Sequence, residues 1–132
     1  NYESTYKTCD LEKIRDFAFD HFTDDYFSTF KDDAGEDKKL MRNEIMSGMQ
    51  ETIDFVKKTN LDISQCNTII SSSNLNIRGD LATMQIQQTE NMQLKALTGQ
   101  TIPLIVKTKC NHLLEKTDGK IRIKQSECVV SQ

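Results

Sequence analysis

The stretch TIPLIVKTKCNHLLEKTDGKIRIKQSECVV, residues 101–130, decides the fold. Apolar and polar side chains alternate over residues 102–114, which is the period of a β-strand with one covered face. Asp118 and Gly119 then supply the residue pair that a tight hairpin turn prefers. Residues 120–130 alternate in the same way, so the stretch predicts two long antiparallel strands joined by a hairpin.

The second of these strands changes phase along its length. Ile121 and Ile123 share one parity, whereas Cys128 and Val130 share the other. Because side chains alternate faces at every residue, one extra residue is needed to keep all four inward. We therefore predict a β-bulge near residues 125–126.

Upstream segments add further strands. Residues 62–72 give a weak strand pattern, and residues 82–87 alternate cleanly as a half-buried strand. Turn residues cluster at 76–80 and at 98–100. Together with the hairpin, these segments predict a sheet of about four to five strands.

The N-terminal half has a helical period instead. Apolar side chains recur at helical spacing over residues 8–31 and 36–59, which predicts two long helices joined by an acidic loop at 31–37. Thr8 or Asp10 can cap the first helix, and Asn60 is a plausible stop for the second.

Composition excludes several classes of protein. The chain has 132 residues, 17 basic and 20 acidic, with a net charge of −3 and well-mixed signs, so it carries no electrostatic footprint for nucleic acid. No apolar run approaches the ~20 residues that a bilayer span needs. The chain starts at Asn1 rather than Met, which indicates a processed or trimmed form. We expect an exported protein, periplasmic or of the lipoprotein type, with its N-terminal targeting segment missing from the chain.

The four cysteines are Cys9, Cys66, Cys110 and Cys128, and none lies in a CxxC pair, so a zinc site is not expected. They can form two disulfides with three connectivities, or remain as four buried thiols. Three of them fall in predicted strands, which allows a cross-strand pair, and Cys9 could reach a strand end.

Two short motifs carry a family resemblance. The segments GDLATMQI, residues 79–86, and EKTDGKIRI, residues 115–123, follow two helices in this chain. In that arrangement the chain resembles the NTF2-like superfamily, which includes SnoaL-like and ketosteroid isomerase-like proteins. The resemblance implies a cone in which a curved sheet wraps the helices, often around a pocket. The predicted fold class is thus α+β, a single domain over residues 1–132 with two long N-terminal helices packed on a curved, mainly antiparallel sheet.

Candidate site residues are those that this cone could turn inward. They are His112, His21, Tyr26, Glu127, Cys110 and Met84. Either histidine could be a general base or a pocket donor, because imidazole titrates near neutral pH, or a core-edge residue with one hydrogen-bond partner. Glu127 would have a raised pKa if it pointed inward, unless the bulge turns it out. Tyr26 could donate into the cavity, or be a core tyrosine with its hydroxyl at the rim.

No convergent catalytic, metal or nucleotide motif occurs, and no cofactor is expected. This favours a non-enzymatic module that binds a small apolar ligand or a protein partner, and that can form a homodimer through the sheet. The alternatives are a small cone-pocket enzyme of the isomerase, cyclase or dehydratase type, and a secreted, disulfide-stabilised inhibitor with a cystatin-like layout.

Overall fold

A computed structural model describes residues 1–31 and 35–131 of the chain. Within these residues the helices are α1 (Tyr2–Lys7), α2 (Leu11–Asp20) and α3 (Arg42–Thr59). The strands are β1 (Phe22–Lys31), β2 (Asp37–Met41), β3 (Asp62–Arg78), β4 (Leu81–Lys95), β5 (Thr101–Thr117) and β6 (Lys120–Ser131).

The strands form one curved, mixed sheet in the order β2-β1-β6-β5-β4-β3. Neighbouring strands are antiparallel except for β1 and β6, which run parallel. The predicted α+β class with a mainly antiparallel sheet is therefore confirmed, but six strands are present in the described chain rather than four to five.

The first predicted helix is wrong in its second half. Helix α2 ends at Asp20, and residues 22–31 form strand β1 instead. Phe22, Tyr26 and Phe30 recur every four residues, a spacing that fits one helix face and one strand face equally well. Their aromatic and β-branched neighbours favour a strand once β6 is available as a partner.

The start of the second predicted helix is also wrong. Residues 37–41 form the short edge strand β2 on β1, and α3 begins at Arg42. This strand exists because β1 exists, so the two errors have one cause. Residues 32–34 of the predicted acidic loop lie outside the described residues. Helix α1, capped by the side chain of Asn1, precedes both predicted helices.

The predicted helix cap, helix end and hairpin turn, each of which depends on a few adjacent residues, are confirmed. The carboxylate of Asp10 accepts a hydrogen bond from the backbone N–H of Lys13 and caps α2. Asn60 ends α3 in the left-handed conformation, with φ 54°. Asp118 and Gly119 both have positive φ, as the tightest hairpin turns require.

Register shows where the predicted bulge lies. Leu113 pairs with Gln125 and Leu114 with Ile123, which leaves Lys124 as the extra residue. The bulge thus lies one residue before the predicted 125–126. Strand β3 also continues to Arg78, so the turn expected over 76–80 is shorter.

The cysteines form two disulfides, Cys9–Cys66 and Cys110–Cys128. The second is a cross-strand pair: the two residues lie directly opposite each other in β5 and β6, with their Cα atoms 4.2 Å apart. The first joins the segment after α1 to β3. Tyr6, Ile14 and Cys66 form a buried cluster beside it, so the disulfide holds the N-terminal helices against the edge of the sheet.

Candidate functional site

The sheet has two unlike faces, which the strand registers define. The face that contacts the helices, here called the inner face, carries Tyr26, Ser28, Met84, Glu90, Cys110, His112, Ser126 and Cys128. The opposite face, here called the outer face, carries Thr29, Gln85, Lys109, Asn111 and Glu127. Five of the six candidate site residues lie in the sheet. All of these except Glu127 share the inner face.

A hydrogen-bonded chain of three side chains crosses the inner face from β1 to β5. Ser126 is 2 % exposed, and its register partner on β5 is His112. The Tyr26 hydroxyl donates to Ser126 Oγ at 2.8 Å, and Ser126 Oγ lies 2.6 Å from His112 Nδ1. Because the serine oxygen already accepts from the tyrosine, its own proton can go to an unprotonated Nδ1.

Burial sets the protonation states within this chain. It lowers the pKa of His112 below its ordinary value, which keeps the imidazole neutral and matches a serine that donates to Nδ1. It also raises the pKa of Tyr26, since the phenolate would be poorly solvated. The three hydrogen-bonded side chains, Tyr26, Ser126 and His112, are thus all neutral. They can pass or share a proton, but none of them is a charged base.

Cys110 and Met84 flank His112. Met84 lies opposite His112 on β4, and Cys110 precedes it on the same face of β5. The Cys110 sulfur is bonded to Cys128 and is therefore not a nucleophile in this state.

Glu90 forms a second polar cluster on the inner face. Its carboxylate accepts hydrogen bonds from the Tyr2 hydroxyl at 3.3 Å and from the Gln88 amide, and it also bonds the Tyr6 hydroxyl. Burial raises the pKa of Glu90, and the three donors oppose that effect by stabilising the carboxylate. The pKa of Tyr2 is raised too, first by burial and then by the neighbouring carboxylate charge.

Glu90 is not among the candidate residues predicted from the sequence, although the sequence carries a signal for it. Met84 and Ile86 mark the inward parity of β4, and continuing that parity reaches Gln88 and Glu90. A carboxylate in phase with apolar residues on a strand is a candidate for burial. The two tyrosines could not be assigned to it, because α1 reaches Glu90 only through tertiary packing.

Glu127 and His21 lie apart from both clusters. The extra residue Lys124 turns Glu127 to the outer face, where it is exposed opposite Asn111. His21 ends α2: its ring stacks on Phe17 at 4.4 Å between centroids, and its Nδ1 lies 2.8 Å from the Phe17 carbonyl oxygen. This is the geometry of a core-edge histidine with one partner.

The outer face holds an open depression of about 590 Å³. Its walls include Lys31, Asp37, Lys109, Asn111 and Glu127, so both signs of charge are present. Within residues 1–31 and 35–131, no three His, Cys, Asp or Glu side chains converge in a way that could hold a metal ion. No helix in that part of the chain combines the length and the apolar character that a membrane crossing needs.

Comparison with solved structures places this geometry in a known fold. An NTF-2-like protein of unknown function from Silicibacter pomeroyi DSS-3 matches with a TM-score of 0.61 at 12% identity, over 98% of this chain and 87% of that chain. A ketosteroid isomerase-like protein from Erwinia carotovora atroseptica SCRI1043 matches with a TM-score of 0.57 at 12% identity, over 99% and 88%.

A third similar structure is the beta subunit of a putative aromatic-ring-hydroxylating dioxygenase from Novosphingobium aromaticivorans DSM 12444. It has a TM-score of 0.59 and 15% identity, over 99% of this chain and 82% of that chain. No protein-family model matches this chain, and no curated protein does. At these identities the likeness is one of fold, and the fold is NTF2-like, as the two sequence motifs implied.

Proposed function

We propose that this chain with an NTF2-like fold is a non-enzymatic binding module that holds a small apolar ligand against the inner face of its sheet. The observation that carries the proposal is incomplete coverage of that face. Ser28 and Ser126 are fully buried, whereas Met84 and Ile86 on β4 remain partly exposed. Apolar surface with a few polar groups is the usual lining of a ligand site.

One polar group on the same face, His112, would orient the ligand. His112 uses Nδ1 for Ser126, and its Nε2 makes no hydrogen bond within the described residues, so the neutral tautomer can donate to a ligand oxygen. Glu90 lies six residues along β4 from Met84, the register partner of His112, or about 20 Å, so a small ligand held at His112 does not reach it. The preferred ligand is therefore apolar with an oxygen at one end.

Binding of N-phenyl-1-naphthylamine, followed by its fluorescence, tests the proposal. Met84→Trp puts a larger side chain on the inner face and should weaken binding at least about tenfold. Gln85→Trp makes the same addition at the next residue, which faces outward, and should leave binding unchanged. A wild-type protein that does not bind the probe, or equal loss in both variants, would contradict the proposal.

A small cone-pocket enzyme of the isomerase, cyclase or dehydratase type is the second candidate. It is favoured by a carboxyl of raised pKa on the inner face, Glu90, which could act as a general base. Deuterium uptake by a bound enolisable ketone in heavy water would support it, provided that Glu90→Gln abolishes the uptake. Binding of the ketone without deuterium uptake would support the non-enzymatic module instead.

The two disulfides support export to an oxidising compartment, periplasmic or of the lipoprotein type, since such bonds are rare in reducing ones. They also meet the requirement of the inhibitor alternative for paired cysteines. Inhibition of a papain-type protease by the purified protein would be needed to support that function. Secretion is tested by the recovery of oxidised protein outside the cytoplasm.

A homodimer through the outer face stays a prediction. Lys109 and Glu127 lie in the same depression, so a twofold axis could place Lys109 of each copy against Glu127 of the other. Glu127→Arg should break such a dimer, and the mass in solution measures it.

A further inference from the structure

Strand β3 is an unusually long free edge. It lies at the end of the sheet, has 17 residues, and pairs only with β4 in the part of the chain that the structure describes. The opposite edge, β2, has five residues, including an aspartate and two lysines. A free edge presents unpaired N–H and C=O groups to any strand that fits.

The composition of β3 does not protect this edge. No charged side chain occurs between Asp62 and Arg78, although natural sheets commonly place charges, above all lysines, on exposed edges. Large apolar side chains are exposed there instead: Ile69 is 62 %, Leu75 59 % and Ile77 68 % exposed. A strand of this kind is suited to pairing.

The irregularities of β3 are symmetric about one residue. Its register with β4 shifts between Ser64 and Asn67, and again between Ser73 and Asn76. Each interval is the mirror image of the other about Ile70. If two copies of β3 ran antiparallel with Ile70 opposite Ile70, the bend in each strand would meet the bend in the other, and the strands would remain in contact.

We propose that two copies of this chain pair through their β3 edges, antiparallel and centred on Ile70, so that their sheets become continuous. In this register Asp62 of each copy lies opposite Arg78 of the other. Neither residue makes an ion pair elsewhere among residues 1–31 and 35–131. The only charges on the strand are thus complementary at both ends.

The centre of the pairing has matching side chains. On the outer face, the Ile69 side chains of the two copies become diagonal neighbours and cover each other.

Sedimentation velocity over a concentration series tests the proposal. The wild-type chain should form a dimer, and Ile69→Lys should weaken association at least tenfold by placing two ammonium groups at the centre. Ile105→Lys is the matched control, because Ile105 is 47 % exposed on the same face of β5, two strands from the edge. This control should associate like the wild type.

A charge reversal tests the register without depending on how the Ile69 variant folds. Asp62→Arg sets two arginines against each other at both ends and should weaken the dimer. Adding Arg78→Asp should restore it. Restoration supports the register centred on Ile70, and failure of the double variant to recover overturns it.

Hydrogen exchange separates this dimer from one through the outer face. Amides of residues 67–73 should become better protected as the protein concentration rises, and Glu127→Arg should leave that protection unchanged. A wild-type monomer at every concentration up to the solubility limit overturns the proposal. So does a dimer that Ile69→Lys leaves intact and Glu127→Arg dissociates, whereas ligand binding on the inner face is unaffected by either result.

Discussion

Ser126 is the residue that satisfies two other buried polar groups on the inner face. Its hydroxyl serves both Tyr26 and His112, and it is itself 2 % exposed. Water cannot readily replace it, because the site is almost completely buried. A loss at this position therefore removes a hydrogen-bond partner from two groups rather than one.

Ser126→Ala should lower the free energy of unfolding by about 1–3 kcal/mol, because a buried group without a partner costs its desolvation energy. Tyr26→Phe is the matched variant: it removes one hydroxyl and leaves the bond between Ser126 and His112, so about 1 kcal/mol is expected. Urea unfolding measures both. Equal losses for the two variants would show that Ser126 does not hold both partners.

Glu90 gives the stability a pH dependence of known sign. Its folded pKa is raised above the ordinary value of 4.5, so the stability that this group contributes is present below pH 4.5 and is lost as pH rises through the folded pKa. Glu90→Gln keeps a neutral acceptor for the tyrosines. The variant should match the wild type near pH 4 and be more stable than it at pH 8.

Unfolding in urea at three pH values between 4 and 8 checks this expectation. His112 has the opposite sign, since its lowered pKa makes the fold lose stability as pH falls below 6.5. Because His112 is present in both proteins, its effect cancels in the difference. A difference that does not change with pH would contradict the assignment of Glu90.

At the scale of elements, α1 depends on its attachment. It has six residues, which is too short for a stable isolated helix. It is held by the disulfide from Cys9 to Cys66 and by the contacts of Tyr2 and Tyr6 with the inner face. Its helical state is therefore a consequence of docking.

Replacing both Cys9 and Cys66 by alanine should free α1. Cys9 and Cys66 are 57 residues apart in the sequence. On the chain-entropy model, loss of the disulfide between them lowers the free energy of unfolding by about 4 kcal/mol. Hydrogen exchange should rise in residues 5–9 more than in the central strands.

The control replaces Cys110 and Cys128 by alanine. That pair closes a shorter loop, with a separation of 18, so the expected loss is about 3 kcal/mol. Protection of α1 should remain in this variant. Equal exposure of α1 in both variants would mean that the sheet, rather than the tether, holds the helix.

At the scale of the molecule, the strand order decides which side chains meet. Strand β1 is separated from β6 by most of the chain, yet it inserts parallel to it and brings Tyr26 to Ser126. Tyr2 of helix α1 likewise contacts Glu90 across a sequence separation of 88 residues. Both polar clusters of the inner face are thus products of long-range pairing.

The sequence by itself determined the features that depend on near neighbours. The alternation over residues 102–114, the Asp118-Gly119 turn and the caps at Asp10 and Asn60 were all readable, because each rests on the backbone preferences of a few adjacent residues. The bulge in β6 was predicted to within one residue, because a phase change in a strand must be absorbed locally.

Only the tertiary structure decided the rest. Residues 22–31 fit a helix and a strand equally until β6 offered hydrogen bonds to them. The disulfide connectivity, the outward position of Glu127 and the tyrosines around Glu90 follow from register and packing between segments far apart in the chain. Local propensity carries no information about such contacts, since their energy comes from a partner that the local sequence does not contain.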